Sequence, residues 1–367
     1  MKNWKINSLQ FSTLVSFSIL STLIGIGFNN VTKIAKVDSY ISVIMAYIIG
    51  FIPILLFIYL FNQEKSINEL IKDTFGNILG TVINYLLLIP IGIIGLCSVY
   101  SISNFMVSQF LSDTPIIIIY IVPLIVILYG LIKGIESISR TSLILYVIML
   151  FLFFIAIIGL APQIEYSNFK PVLENGIIPP LKGSLIFVLS DIIPVFVMLS
   201  ISKKNIINKE KTTKFIIIFY TLSILIIFLN IAMTIGTLGI HLTDMYQYPE
   251  YMVLKQISFF NFLDRIENFV TIQWIFRTFM LVTMVIYYIK NTIKKDGNSF
   301  IIYVLIISLM IILDLIIFKN NTMFTNFAYK IYPYSNLMLF IIIIFISVSV
   351  FIKNRLNNKE KTLDSRT

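Results

Sequence analysis

Residues 9–30 read LQFSTLVSFSILSTLIGIGFNN, with no charged side chain in the run. As a helix this stretch rises about 33 Å, enough to cross the roughly 30 Å hydrocarbon core of a bilayer. Its later half, Ser21-Thr22-Leu23-Ile24-Gly25-Ile26-Gly27, places two glycines and two hydroxyls at membrane depth. Glycine permits unwinding and close backbone approach, and hydroxyls can satisfy freed carbonyls or a ligand. The same residues also suit a close crossing of two intact helices through small side chains.

Comparable apolar runs recur along the chain. A window of about 19 residues predicts ten spans at 9–30, 40–61, 81–109, 116–132, 141–160, 183–201, 214–240, 267–289, 300–318 and 336–353. Of the 367 residues, 58% are apolar and 13% charged, and mean hydropathy is +0.93. Too little polar surface is available to coat a water-soluble fold of this size. The sequence therefore predicts an all-α integral membrane protein, a single ten-span transmembrane domain over 1–367. No small-residue cleavage site follows Lys2, Lys5 and the first apolar run, so the first span is expected to be retained.

An even number of spans puts both termini on one side. Of the 28 Lys and Arg, 19 fall on that side, 8 on the other, and Arg277 lies within a span. Cytoplasmic loops carry the basic excess, so both termini are expected in the cytoplasm. The net charge of +10 is thus a topology signal and gives no reason to invoke nucleic acid. Between spans, 62–80 has the apolar spacing of an amphipathic surface helix, and 248–262 that of a re-entrant or surface-packed helix able to act as a lid.

A regular helix has no backbone group free for a solute, so interruptions carry the functional signal. Besides Gly25 and Gly27, span 6 contains Ser190-Asp191-Ile192-Ile193-Pro194, a carboxylate and a helix-kinking proline at mid-depth. Asp191 costs about 3 kcal/mol there on insertion scales and should face a cavity or a partner. Breaks in spans 1 and 6 of ten match five-plus-five inverted-repeat transporters, in which helices 1 and 6 are discontinuous and hold solute near the midplane. No residue-level repeat joins the two halves. Half-helix N-termini suit a carboxylate, and freed carbonyls with Asp191 suit an ammonium, so an amino acid or similar small zwitterion is the implied ligand.

Candidate ligand-binding residues are Thr22, Gly25, Ile26, Gly27, Tyr100, Ser190, Asp191 and Thr278, with Pro194, Arg265, Glu267 and Arg277 in structural or gating roles. Arg277, well inside span 8 beside Gln273 and Trp274, should pair with an internal carboxylate or snorkel along a wet path. Asp314, about one turn from the end of span 9, suits snorkelling or capping. His241 is expected at a helix boundary as a bystander, and Glu136 with Arg140 as an ordinary i,i+4 pair. The sole cysteine, Cys97, excludes a disulfide framework. No phosphate loop, His-Glu-x-x-His or cysteine cluster is present, so no catalytic residue, metal site or cofactor is predicted.

The order of several marks resembles the B subunits of spore germinant receptors, the spore permease family of the amino acid–polyamine–organocation superfamily. These marks are Ile6 and Gln10, Gly25 and Gly27, Asp38-Ser39-Tyr40-Ile41-Ser42, Gly134-Ile135-Glu136 with Arg140, Pro171, Gly176, Pro179 and Gly183, and Tyr248-Pro249 followed by Arg265-Ile266-Glu267, Trp274 and Arg277. The resemblance covers nearly the whole chain. Span 6 departs from it, since Ser190 to Pro194 stands where the family carries a Gly-Phe-Glu-like element. The resemblance implies a germinant-sensing membrane subunit that binds a small amino-acid-like germinant. Its implied partners are an A-type membrane subunit and a C-type lipoprotein in the spore inner membrane. An amino-acid permease coupled to protons or sodium and a structural subunit without ligand are the competing functions. Altered germinant preference, lost uptake or complex disassembly in site variants would separate the three.

Overall fold

The computed structural model of the protein describes residues 4–255, 267–293 and 299–364, and side chains as far as 357. Nine helical stretches among the described residues are long and apolar enough to cross a membrane. The first, Ser8–Phe61, has 54 residues and would be about 80 Å long as one helix. It instead turns back at Lys36, whose φ is 52°, and so contributes two crossings, bringing the total to ten.

Span 1 comprises helices Ser8–Leu20 and Phe28–Ala35 around the segment Leu23–Gly27, and span 2 is Ser39–Phe61. Spans 3, 4 and 5 are Asn77–Gln109, Ile116–Lys133 and Ile135–Leu160. Span 6 occupies 178–200, span 7 is Thr212–Met245 and span 8 Glu267–Ile293. Span 9 is Ser299–Ile317 and span 10 Tyr332–Asp364. Helices occupy each of the ten predicted stretches among the described residues, but several run past the apolar window, because polar residues at the membrane boundary continue the helix into the interface.

Local chemistry sets the helix ends. Asn7 and Gln10 form a capping box at the start of span 1, and the Asn7 N–H donates to Gln10 Oε1 over 2.9 Å. A second box, Ser66 with Glu69, starts the helix Ile67–Phe75, which buries Ile67, Leu70 and Ile71 as the amphipathic reading of 62–80 requires. Of the predicted lid at 248–262, Pro249–Lys255 is helical, Tyr248 before it is buried, and 256–262 lies outside the described residues. The described start of the chain lies on the face where Ile6–Asn7 pairs in parallel with Ile206–Ile207, and span 10 reaches the same face, where Asn354 Nδ2 donates to Gln63 Oε1 at 3.0 Å beside Glu64, whose carbonyl accepts from Ser202. The opposite face carries Pro249–Lys255 and a further short helix, Asn321–Lys330. Side chains such as Ile48, Ile125, Phe151 and Leu305 are exposed around the belt, and in a membrane they meet lipid tails.

Candidate functional site

Span 1 is broken at the predicted glycines. Ile24 is extended (φ −73°, ψ 128°), Gly25 is left-handed (φ 80°, ψ −14°), and the Gly27 N–H donates to the Thr22 carbonyl over 2.9 Å. The two glycines answer different demands. At Gly25 a side chain would be strained by the positive φ, and its Cβ would lie 2.7 Å from Ser101 Oγ and 3.2 Å from Trp274 Cη2. At Gly27 the backbone is helical, but a Cβ would lie 2.2 Å from Asp191 Oδ2. The missing side chain is replaced in space by a carboxylate from span 6.

Span 6 changes its hydrogen-bond register instead of unwinding into extended backbone. The α-helix Ile178–Phe187 passes into a π-turn at Val188–Ile192 and then a 3₁₀ stretch at Ile193–Ser200. Pro194, near the start of that stretch, has no N–H to continue the α ladder, which accounts for the change. The displaced Ser190 carbonyl accepts from Tyr332 Oη at 3.2 Å and lies 3.0 Å from Thr22 Oγ1. Thr22 Oγ1 is also 3.0 Å from Asp191 Oδ1, so its one proton is shared between two acceptors of span 6. Asp191 is fully buried, and its Oδ2 has no partner among the described residues.

Thr22, Gly25, Gly27, Ser190 and Asp191 therefore meet at one place, where the broken spans touch. Ile26, in the same segment, packs into the hydrophobic core. Tyr100 stands in an aromatic cluster with Phe318 and Phe324, at ring-centroid distances of 4.9 and 4.6 Å. Ser101, one residue further, is the member of span 3 that abuts Gly25. Thr278 is buried with an unpartnered hydroxyl, and Pro194 is buried. Glu267 opens span 8, and Arg265 lies outside the described residues. His241 is exposed near the end of span 7, and Glu136 pairs with Arg140 at 2.5 Å.

Arg277 neither snorkels nor forms a direct ion pair among the described residues. It is buried, donates to Gln273 Oε1 at 3.0 Å, and leaves Nε and Nη1 without partners. Its nearby acid is Glu250 of Pro249–Lys255, outside the spans, which is itself buried with both oxygens unpartnered. Burial pushes the Glu250 carboxyl up to about 8, outweighing the opposing pull of Arg277. Asp314 also departs from expectation. Its side chain points into the bundle, is fully buried and has two unpartnered oxygens, so it cannot snorkel.

A cavity of about 220 Å³ runs from Gly25 to the face opposite the termini. Asn29, Thr32 and Lys33 of span 1 line one side, and residues 244–247, Asn321, Thr325 and Tyr329 the other. Amides lock its wall: Asn29 Nδ2 donates to the Gln247 carbonyl at 2.8 Å, and Gln247 and Asn321 exchange side-chain hydrogen bonds of 2.7 and 3.0 Å. A smaller cavity of about 20 Å³ between Asn230, Glu250 and Gln273 has room for a single water. Among the described residues no cluster of His, Cys, Asp or Glu can hold a metal ion.

A ten-span bundle with a broken first span touching a distorted sixth is the architecture of a secondary transporter. Solved structures agree at the level of fold. A point mutant of the Eremococcus coleocola manganese transporter superposes with a TM-score of 0.54 at 12% identity, covering 94% of this chain and 86% of that one. A Na+-coupled sialic acid symporter in a substrate-bound outward-open state gives 0.56 at 12% identity, covering 93% and 78%. The family is narrower than the fold. The model described as spore germination protein matches residues 5–323, and the chain belongs to that family, the spore permeases to which the germinant receptor B subunits belong. It is 24% identical to Spore germination protein XB of Bacillus anthracis over 87% of this chain and 90% of that protein. Identity to Spore germination protein KB of Bacillus subtilis (strain 168) is 28%, over 71% and 72%. The protein is thus a multi-pass membrane protein of the spore germination family with a transporter-like fold.

Proposed function

We propose that the protein is the germinant-sensing membrane subunit of a spore germination receptor. A small amino-acid-like germinant binds where span 1 is broken, between spans 1, 3, 6 and 8, and shifts a conformational equilibrium read by an A-type membrane subunit and a C-type lipoprotein. The basic excess on the face of the termini supports a cytoplasmic setting for that face, with the protein in the spore inner membrane and the 220 Å³ cavity opening to the other side. The observation that carries the reading is the left-handed Gly25 at the foot of that cavity, with Ser101 and Trp274 against it and the carboxylate of Asp191, one oxygen unpartnered, against Gly27 two residues on. Unwound backbone offers hydrogen-bonding groups, and Asp191 offers charge to an ammonium.

A permease of the same fold is the second reading, favoured by the transporters that share the architecture. One experiment separates them. Spores whose only receptor copy carries Asp191→Asn are exposed to a panel of L-amino acids, and the purified variant is tested for uptake in proteoliposomes. Sensing predicts a changed order of germinant potency with no uptake by either wild type or variant. Robust wild-type uptake abolished by the substitution, with germination unaltered, would replace sensing by transport.

A further inference from the structure

We infer that Glu250 is the proton-binding site of a lid on the face opposite the termini: with Glu250 protonated, the helix Pro249–Lys255 stays packed on spans 7 and 8, and loss of the proton releases it. The site needs no germinant and is independent of the sensing role. Glu250 is buried, and both of its carboxyl oxygens lack a hydrogen-bond partner among the described residues. Beside it lies the cavity of about 20 Å³, with room for one water, whose other polar walls are Asn230 and Thr234 of span 7 and Gln273 of span 8. Span 7 thus faces the carboxyl with no titratable group, and the span 5 part of the wall is apolar. Span 8 brings Arg277, which donates to Gln273 Oε1 and forms no salt bridge with Glu250 among the described residues. Tyr146 of span 5 stands near that guanidinium. The other titratable groups whose fields reach Glu250 are Asp191 of span 6, Tyr248 just before the lid, and Tyr329 of the helix Asn321–Lys330. On the lid itself, Lys255 Nζ sits 4.7 Å from the Tyr251 ring centroid.

A neutral carboxyl is tolerated in such a place, where one water can both donate to it and accept from it. A carboxylate is not, because a single water without a cation in contact does not replace the hydration it has lost. Burial accordingly holds the Glu250 carboxyl up at about 8, against the opposing pull of Arg277. With the lid open the group returns to its ordinary 4.5, so its support for closure is full below about 4.5 and is lost as pH rises through 8. The lid is also placed to act on the break in span 1. Tyr246, extended at φ −82° and ψ 139°, joins it to span 7 as a non-helical hinge. Tyr251 of the lid packs on Phe105 with ring centroids 5.1 Å apart, and Phe105 packs at 4.8 Å on Trp274, the ring that abuts Gly25. Lifting the lid therefore uncovers the aromatic cluster that closes over Gly25.

Thiol accessibility reads the position of the lid. The full-length protein with Cys97→Ser carries either Val253→Cys, at a buried lid position, or Lys255→Cys, at an exposed one. Both are labelled in nanodiscs with a charged methanethiosulfonate reagent from pH 6 to 9, without any amino acid. Dividing the first rate by the second removes the titration of the thiol itself. With Glu250 intact the ratio should rise roughly a hundredfold over that range, the size set by the displacement of the carboxyl from 4.5 to about 8. Glu250→Gln keeps the shape of the side chain and cannot ionise, so its ratio should stay low and flat. A ratio that is flat or falls with pH while Glu250 is present overturns the site without recourse to the variant, and so does an equal rise in Glu250→Gln. Because no germinant enters the measurement, either of these results leaves the sensing role standing.

Discussion

Replacing Gly27 by alanine should force spans 1 and 6 apart. The added Cβ would sit 2.2 and 2.5 Å from the two Asp191 oxygens and 2.6 Å from Cγ, each about 1 Å or more short of a normal contact. The carboxylate cannot yield freely, because Thr22 and the π-turn of span 6 hold it. Overpacking of this kind costs about 1–3 kcal/mol. Losing the Thr22 hydrogen bond as Asp191 is displaced adds about 1 kcal/mol. Gly27→Ala should therefore lose roughly 2–4 kcal/mol. Asp191→Ala alone removes a buried carboxylate with an unpartnered oxygen, so its own effect on stability should be small. It also vacates the space that the new methyl needs. The double variant should then recover at least about 1 kcal/mol relative to the sum of the singles, a coupling expected only of residues in contact. The assay is equilibrium unfolding of the four proteins in detergent, followed by fluorescence. Additive effects, or an alanine at 27 that costs nothing, would refute the packing of these two breaks.

Thr22→Val removes the donor shared by Ser190 and Asp191, and should lower stability by about 1–2 kcal/mol in the same assay. Tyr332→Phe, which takes away the other donor to the Ser190 carbonyl, should cost about 1 kcal/mol. Glu250 is raised in the folded protein from its ordinary 4.5 to about 8, so its contribution is full below about 4.5 and is lost as pH rises through 8. Wild-type melting temperature should accordingly fall between pH 6 and 9, whereas Glu250→Gln should flatten that slope; parallel slopes would contradict it. Asp314→Asn keeps the shape of a buried side chain with two unpartnered oxygens and removes its potential charge. It should leave stability at neutral pH within about 1 kcal/mol or raise it slightly, measured by thermal unfolding.

The spans were legible because lipid demands runs of apolar residues, and their order put both termini on one face. The break at Gly25 and Gly27 and the carboxylate Asp191 were legible for the converse reason, since such residues are costly in an uninterrupted span. Finer placement was not. Tyr100 and Ser101 differ by about 100° around span 3, so a window over hydropathy cannot tell which of them meets Gly25. The same limit hid Asp314, whose depth suggested snorkelling while its facing buried it. Glu250 and the Asn29, Gln247 and Asn321 wall depend on neighbours far apart in sequence, brought together only by the bundle. The sequence also implied a second discontinuous helix, and span 6 meets that role through π and 3₁₀ turns around Pro194 with its backbone still helical.

Protection of a single engineered thiol bears most directly on where the germinant sits. Cys97, the only native cysteine, is replaced by serine, and Ser101→Cys places a thiol against Gly25. The protein in nanodiscs is then labelled with a small membrane-permeant maleimide, with and without saturating amino acid. An amino acid that triggers germination should slow labelling about tenfold, and one that does not should leave it unchanged. Equal labelling rates in the presence of a germinant shown to be bound would place the ligand away from the break in span 1.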